Sequence, residues 1–215
     1  PHTDCHRSRG STGRNTRPQK TSYEGVKLAI IYYSSSGTNY QMAQAAKEEA
    51  EARGAEVRLR RVQELASDEA IDSNPQWREH YDTTKDTVQV ASNDDLVWAD
   101  AILFGTPTRY GNVTAQLKQF MDQTGSLWFN GQLVDKVVSG FTSAANPHGG
   151  QESTLLALHT TFYHWGCIIV PPGYTDQVIF ESGGNPYGSS VTADGNPIPA
   201  KSLQAVRHQA ARMLR

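Results

Sequence analysis

An apolar run that breaks into a loop of hydroxyls constrains this chain more than any other feature. Lys27–Tyr33 carries Leu28, Ala29, Ile30 and Ile31 without interruption, and Ser34, Ser35, Ser36, Gly37, Thr38 and Asn39 follow directly. From Tyr40 to Arg53 the pattern turns helical, with Met42, Ala43, Ala46 and Ala50 on one face. A strand that opens a helix through a polar loop offers an anion unpaired backbone N–H groups and the positive end of a helix dipole, about half an elementary charge. The loop lacks the lysine of G-x-x-x-x-G-K-[ST] and the glycines of G-x-G-x-x-G. Its donors are neutral hydroxyls, one amide and the backbone. Hydrogen bonds to a charged group contribute about 1.5–3 kcal/mol each, so several would hold a phosphate monoester without metal or lysine. The same residues also read as a polar turn whose Ser and Thr cap the helix.

The rest of the chain repeats the strand-then-helix theme. Glu56–Val62 alternates as a half-exposed edge strand, and Ala101–Gly105 and Val137–Thr142 are compact apolar strands. Cys167–Val170 is the last clear strand, ended by Pro171-Pro172. Helical spacing marks Ser92–Trp98, the segment bearing Val113, Leu117, Phe120 and Met121, Gln151–Trp165 and Ala200–Arg215. Gln63–Val90 is polar, with a turn at Asn74-Pro75, and is expected to run over the surface. Tyr174–Pro199 is rich in Gly and Pro and too long for an ordinary connection. Alternating strands and helices predict an α/β protein with a parallel sheet covered on both faces. Ligands in such sheets bind at the carboxyl ends of strands, near the switch point. Three loops qualify: Ser34–Asn39, Thr106–Asn112 and Ser143–Gly150.

The second loop is the sharpest. In Gly105-Thr106-Pro107-Thr108-Arg109-Tyr110-Gly111-Asn112, Pro107 fixes φ and the glycines let backbone approach a flat ligand. Arg109 and Tyr110 add a cation and a ring. An isoalloxazine needs backbone donors and acceptors along its pyrimidine edge and a group favouring electron density there. Its monoester, flavin mononucleotide (FMN), would suit the neutral first loop. Alone, the second loop also reads as a turn with a surface arginine.

The totals exclude several classes. At 215 residues with 37% hydrophobic content and formal net charge −2, the chain suits one sizeable domain without the basic excess of a nucleic-acid binder. No stretch of about 20 apolar residues and no secretory signal appear. Cys5 and Cys167 cannot build a disulfide framework, which fits a reducing cytoplasm; Cys167, flanked by Gly166 and Ile168, is expected to be an inert buried thiol. His159 and His164 do not share a helix face and H-E-x-x-H is absent, so no metal site is expected. No G-x-S-x-G elbow supports a hydrolase. Residues 1–24, with Arg7, Arg9, Arg14, Arg17 and Lys20 among small polar residues, read as a flexible basic extension ahead of a 25–215 domain.

Tyr-Tyr-Ser-x-x-Gly at Tyr32–Gly37, Phe104–Asn112, Phe120–Trp128, Gly149–Glu152, His164 and Val170-Pro171-x-Gly173-Tyr174 together resemble the WrbA family of flavodoxin-like NAD(P)H:quinone oxidoreductases, from Lys27 onward. The resemblance implies a doubly wound five-stranded parallel sheet of order 2-1-3-4-5. It implies FMN held by its phosphate at Ser34, Ser35, Ser36, Gly37, Thr38 and Asn39. Pro107, Thr108, Arg109, Tyr110 and Gly111 would lie along the ring, and Ser143, Ala144, Ala145, Asn146 and Gly149 would flank the ribityl chain and pyrimidine end. Trp128 would form an apolar wall where quinone or nicotinamide stacks, and His164 would reach the flavin across a subunit boundary in a homotetramer. Hydride would pass from NADH or NADPH to flavin N5, and a quinone would then take two electrons. No side-chain acid or base is indispensable to that scheme; Arg109 and His164 would modulate the rate. Ser36 stands where the family often has an aromatic contact to nicotinamide, and Ser143–His148 lacks the usual glycine–threonine run. Two rivals are a flavodoxin-type electron carrier, disfavoured by near-neutral charge and Trp128, and an accessory protein binding a transcriptional regulator.

Overall fold

The computed structural model describes residues 23–215. The basic extension lies outside them, except that Tyr23 is already buried and donates its N–H to the Arg53 carbonyl. Strands β1 (Lys27–Tyr32), β2 (Glu56–Arg61), β3 (Ala101–Pro107), β4 (Val137–Ala144) and β5 (Ile168–Ile169) form a parallel sheet in the order β2-β1-β3-β4-β5. The expected flavodoxin-like topology is therefore present. Alternation along β1 explains its unbroken apolar run. Leu28 and Ile30 point to one face, against α1 (Thr38–Ala52) and α9 (Ala200–Met213). Ala29 and Ile31 point to the other, against α4 (Asn93–Trp98), α5 (Ala115–Asp122), α6 (Gly125–Phe129) and α7 (Gln151–Trp165). A strand covered on both sides has no solvent face to make polar.

Two regions differ from the sequence expectation. The polar segment after β2 folds into α2 (Asp68–Asp72) and α3 (Pro75–Thr84). Asn74-Pro75 is a helix start rather than a turn: Asn74 Oδ1 accepts from the Gln76 and Trp77 N–H groups, and Pro75 takes the first position, where no N–H is needed. Helical periodicity was masked there because the apolar faces are short. Secondly, the fifth strand position is split. Val137 and Val138 of β4 pair with β5, whereas Thr142–Ala144 pair with β6 (Ser190–Thr192) on the edge that β3 leaves free.

Between β5 and β6 the chain makes an excursion that includes α8 (Gln177–Glu181). Fully buried Gln209 bridges the gap. Its Nε2 donates to Ser139 Oγ at 2.6 Å and to the Gly140 carbonyl at 2.7 Å, and its Oε1 accepts from the Ser189 N–H at 2.9 Å. Gly188 passes so close that a Cβ would stand 2.2 Å from the Gly140 carbonyl oxygen. This return delivers Ala193 to the same sheet end as the three loops.

Candidate functional site

At the end of β1 the chain turns through Ser34–Ser36, and Gly37 caps α1 in a left-handed conformation (φ 93°). Its N–H donates to Ser34 Oγ at 3.1 Å, and no side chain caps the helix, so the first-turn N–H groups face the loop. Asn39 is buried, and its Nδ2 donates to Ser143 Oγ at 2.8 Å, tying the first loop to the third.

The second loop is a tight hairpin. Arg109 and Asn112 exchange backbone hydrogen bonds of 2.8 and 3.0 Å around Tyr110 (φ 52°) and Gly111 (φ 75°). Two successive positive φ values define a type I′ turn. Glycine fits its second corner; Tyr110 at the first is strained by about 1–2 kcal/mol, and the residue is 99% exposed. Thr108 anchors the hairpin: its N–H donates to the Ser143 carbonyl at 2.8 Å, its Oγ1 accepts from the Gly111 N–H at 3.1 Å and from Thr154 Oγ1 at 2.8 Å. The Arg109 Nη1–H group donates to the Thr108 carbonyl at 2.9 Å. In the third loop, Asn146 accepts from the His148 and Gly149 N–H groups. Gly150, at φ 91°, begins α7 so near the hairpin that a Cβ would lie 2.6 Å from Gly111 Cα.

The loops enclose a cleft of about 240 Å³ lined by Ser34, Ser35, Ser36, Thr38, Asn39, Pro107, Thr108, Arg109, Ser143, Ala144, Ala145 and Ala193. Eleven of these twelve are sequence candidates; Ala193 was missed, and nothing in Ala193-Asp194-Gly195 marks it. Gly37, Tyr110, Gly111, Asn146 and Gly149 shape the surrounding turns without lining the cleft. Among the described lining residues Arg109 is the one charged side chain, and there is no carboxylate. Neutral hydroxyls beside an uncapped helix start match a phosphate monoester, so the residues present fit FMN.

Behind the first loop stands a carboxylate network. Glu64 accepts from the Tyr33 hydroxyl (2.8 Å), Trp77 Nε1 (3.2 Å) and Gln116 Nε2 (2.8 Å). Burial pulls the Glu64 pKa upward, but the Ala66 N–H, Gln116, Tyr33 and the Leu65 N–H hold it below the ordinary value. Burial and then the Glu64 charge push the Tyr33 phenol up, which keeps it a donor. Cys167 donates to the Leu133 carbonyl, and burial raises its thiol to about 11, as an inert thiol requires.

Trp128 and His164 are brought together, but not into this cleft. Trp128 Nε1 donates to the His164 carbonyl at 2.9 Å. Helix α7 starts at the third loop and carries His164 about 20 Å along its axis, at ~1.5 Å per residue, toward the opposite end of the sheet.

Sheet order, loop positions and cleft chemistry together define a flavodoxin-like protein with an FMN-type site. The family model "NADPH-dependent FMN reductase" matches residues 26–177, and the chain belongs to that family. It is 51% identical over 189 residues to a Deinococcus radiodurans protein named NAD(P)H dehydrogenase (quinone), covering 88% of this chain and 94% of that one. A Sinorhizobium fredii protein of the same name is 44% identical, covering 88% and 96%. The solved WrbA-like flavodoxin from Agrobacterium tumefaciens shares the fold, with a TM-score of 0.59, 24% identity and coverage of 88% and 95%. Among the described residues no helix is long and apolar enough to cross a membrane.

Proposed function

We propose that this protein is an FMN-dependent NAD(P)H:quinone oxidoreductase of the WrbA type. The observation that carries the reading is the cleft itself, where hydroxyls and an uncapped helix start face the joined ends of β3 and β4 with no carboxylate to repel a phosphate. When bound, FMN supplies the redox chemistry, carrying two electrons from NAD(P)H to a quinone. The chain's own residues bind, orient and shelter. Ser34–Asn39 would grip the phosphate, Pro107–Gly111 would support the ring, and Ser143, Ala144, Ala145, Asn146 and Gly149 would flank the ribityl side. Arg109, the one charged side chain among the described lining residues, would favour the electron density that reduction adds to the ring.

One protomer supplies only part of the shelter. The cleft of about 240 Å³ falls below the roughly 300–1,000 Å³ usual for a ligand pocket. Trp128 and Tyr163 are exposed beside His164, and Phe129 is 81% exposed. We assign this aromatic end to cover a neighbouring protomer's cleft in a homotetramer, with Trp128 as the stacking wall for quinone or nicotinamide and His164 reaching the cofactor. The test is direct. Adding FMN to the purified protein should give bound-flavin absorption, and benzoquinone should sustain steady NADH oxidation, which a mere electron carrier would not. Folded protein that takes up no FMN would end the reading.

A further inference from the structure

The first loop carries no cation of its own, yet the fold brings a titratable side chain to it from α3. His80 Nδ1 stands 3.4 Å from where a Cβ on Gly37 would be, and its ring packs on Tyr40 with centroids 5.5 Å apart. A groove of about 600 Å³ shares Ser36, Thr38 and Ala193 with the cofactor cleft and has His80 in its wall. Among the described residues the imidazole makes no hydrogen bond; the His80 carbonyl accepts from Thr84 Oγ1.

Among the described residues, the groups facing this ring give it no ion pair. Tyr32 and Tyr33 from β1 and its end are buried phenols held protonated. Tyr40 of α1 and Tyr81 of α3 add further phenols. Arg61 of β2 donates to the Val88 and Lys85 carbonyls, and Glu64 is engaged by Tyr33, Trp77 and Gln116. Glu79 of α3 lines the groove and makes no ion pair among the described residues. Burial lowers the His80 pKa, so near neutrality the ring is uncharged until an anion arrives beside it.

We propose that His80 supplies the cation the first loop lacks, taking up a proton as the FMN phosphate seats against Gly37 and Thr38 and donating a hydrogen bond to it. Phosphate recognition, as distinct from ring recognition, then depends on pH. This inference rests on the FMN reading above and adds to it a phosphate-positioning residue outside the loop.

Riboflavin has the ring and ribityl chain but no phosphate, so it separates the two readings. Calorimetric titrations of the purified protein at about pH 7, in two buffers of different ionisation enthalpy, measure the protons taken up with each flavin. FMN should bind with net proton uptake and riboflavin without it. In His80→Gln that uptake should vanish and the preference for FMN over riboflavin should fall about tenfold, with riboflavin affinity unmoved. His80→Lys should restore the preference and flatten its dependence between about pH 6 and 8. The phosphate itself titrates near pH 6, so the readout is the difference between wild type and His80→Gln. An unchanged FMN preference and proton uptake in His80→Gln would overturn the proposal while leaving the flavin reading intact. Folded wild-type protein that binds neither flavin would overturn both.

Discussion

The two ends of the sheet solve opposite problems. At the carboxyl end, three loops from distant parts of the chain are stitched together by Asn39–Ser143, Thr108–Ser143 and Thr108–Thr154 hydrogen bonds. The donors there are positioned before any ligand arrives, which lowers the ordering cost of binding. At the other end, Trp128, Phe129 and Tyr163 stand exposed, and Trp128 Nε1 donates to the His164 carbonyl. On the proposed assembly, the preorganised polar groups of the cleft and the exposed aromatics of the other end are complementary. A second copy would bring them together.

The largest effect should come from breaking the stitched end. Gly150→Ala puts a Cβ 2.6 Å from Gly111 Cα at a φ of 91°. Overpacking and left-handed strain together should cost about 3 kcal/mol in urea unfolding, with FMN affinity falling at least about tenfold. A variant as stable as wild type would show that the loops are not held by this contact. Next comes the charge at the cleft. Arg109→Ala should slow single-turnover flavin reduction by NADH about tenfold, or ~1.4 kcal/mol, and weaken FMN; unchanged rates would remove Arg109 from its role. The aromatic end should respond differently. Trp128→Ala should leave the unfolding midpoint nearly unmoved but lower kcat/KM for benzoquinone about fivefold and weaken self-association in sedimentation. If Trp128→Ala changes neither turnover nor assembly, the two ends do not meet.

How far each end could be read from sequence follows from what kind of signal it leaves. The strands, their parallel arrangement and the first and second loops are legible because buried parallel strands are unbroken apolar runs followed by loops of small or hydroxyl residues, whereas the strand order comes from the family resemblance. The split fifth strand was not: Ser190–Thr192 is three residues long inside a Gly- and Pro-rich stretch, and it pairs because Gln209 holds it there. The segment after β2 runs over the surface as expected, but Asn74-Pro75 starts a helix there rather than a turn, and with Thr84 the one buried residue of α3 there is little apolar periodicity to mark it. Ala193 reaches the cleft through the long return from β5, and His80 reaches the neighbouring groove from α3, so neither is marked by a local pattern. Trp128 and His164 are marked in the sequence only by the family resemblance, and their mutual contact across a separation of 36 residues is a product of packing that no local pattern encodes.

The subtlest expected effect lies behind the stitched end, at Glu64. Its carboxyl gathers Tyr33 at the root of the first loop, Trp77 of α3 and Gln116 of α5, so one charge spans three elements. Its folded pKa is below the ordinary 4.5. The sign follows: the stabilisation is present above about pH 4.5 and is lost as pH falls through the folded value. Glu64→Gln keeps an acceptor and loses the charge. Because the group is only part-buried, the loss at pH 7 should be about 1 kcal/mol or less. Urea midpoints measured at about pH 7 and pH 4 should therefore converge more in Glu64→Gln than in wild type. An equal acid sensitivity in both would mean that neutral contacts alone hold Tyr33 and the loop it begins.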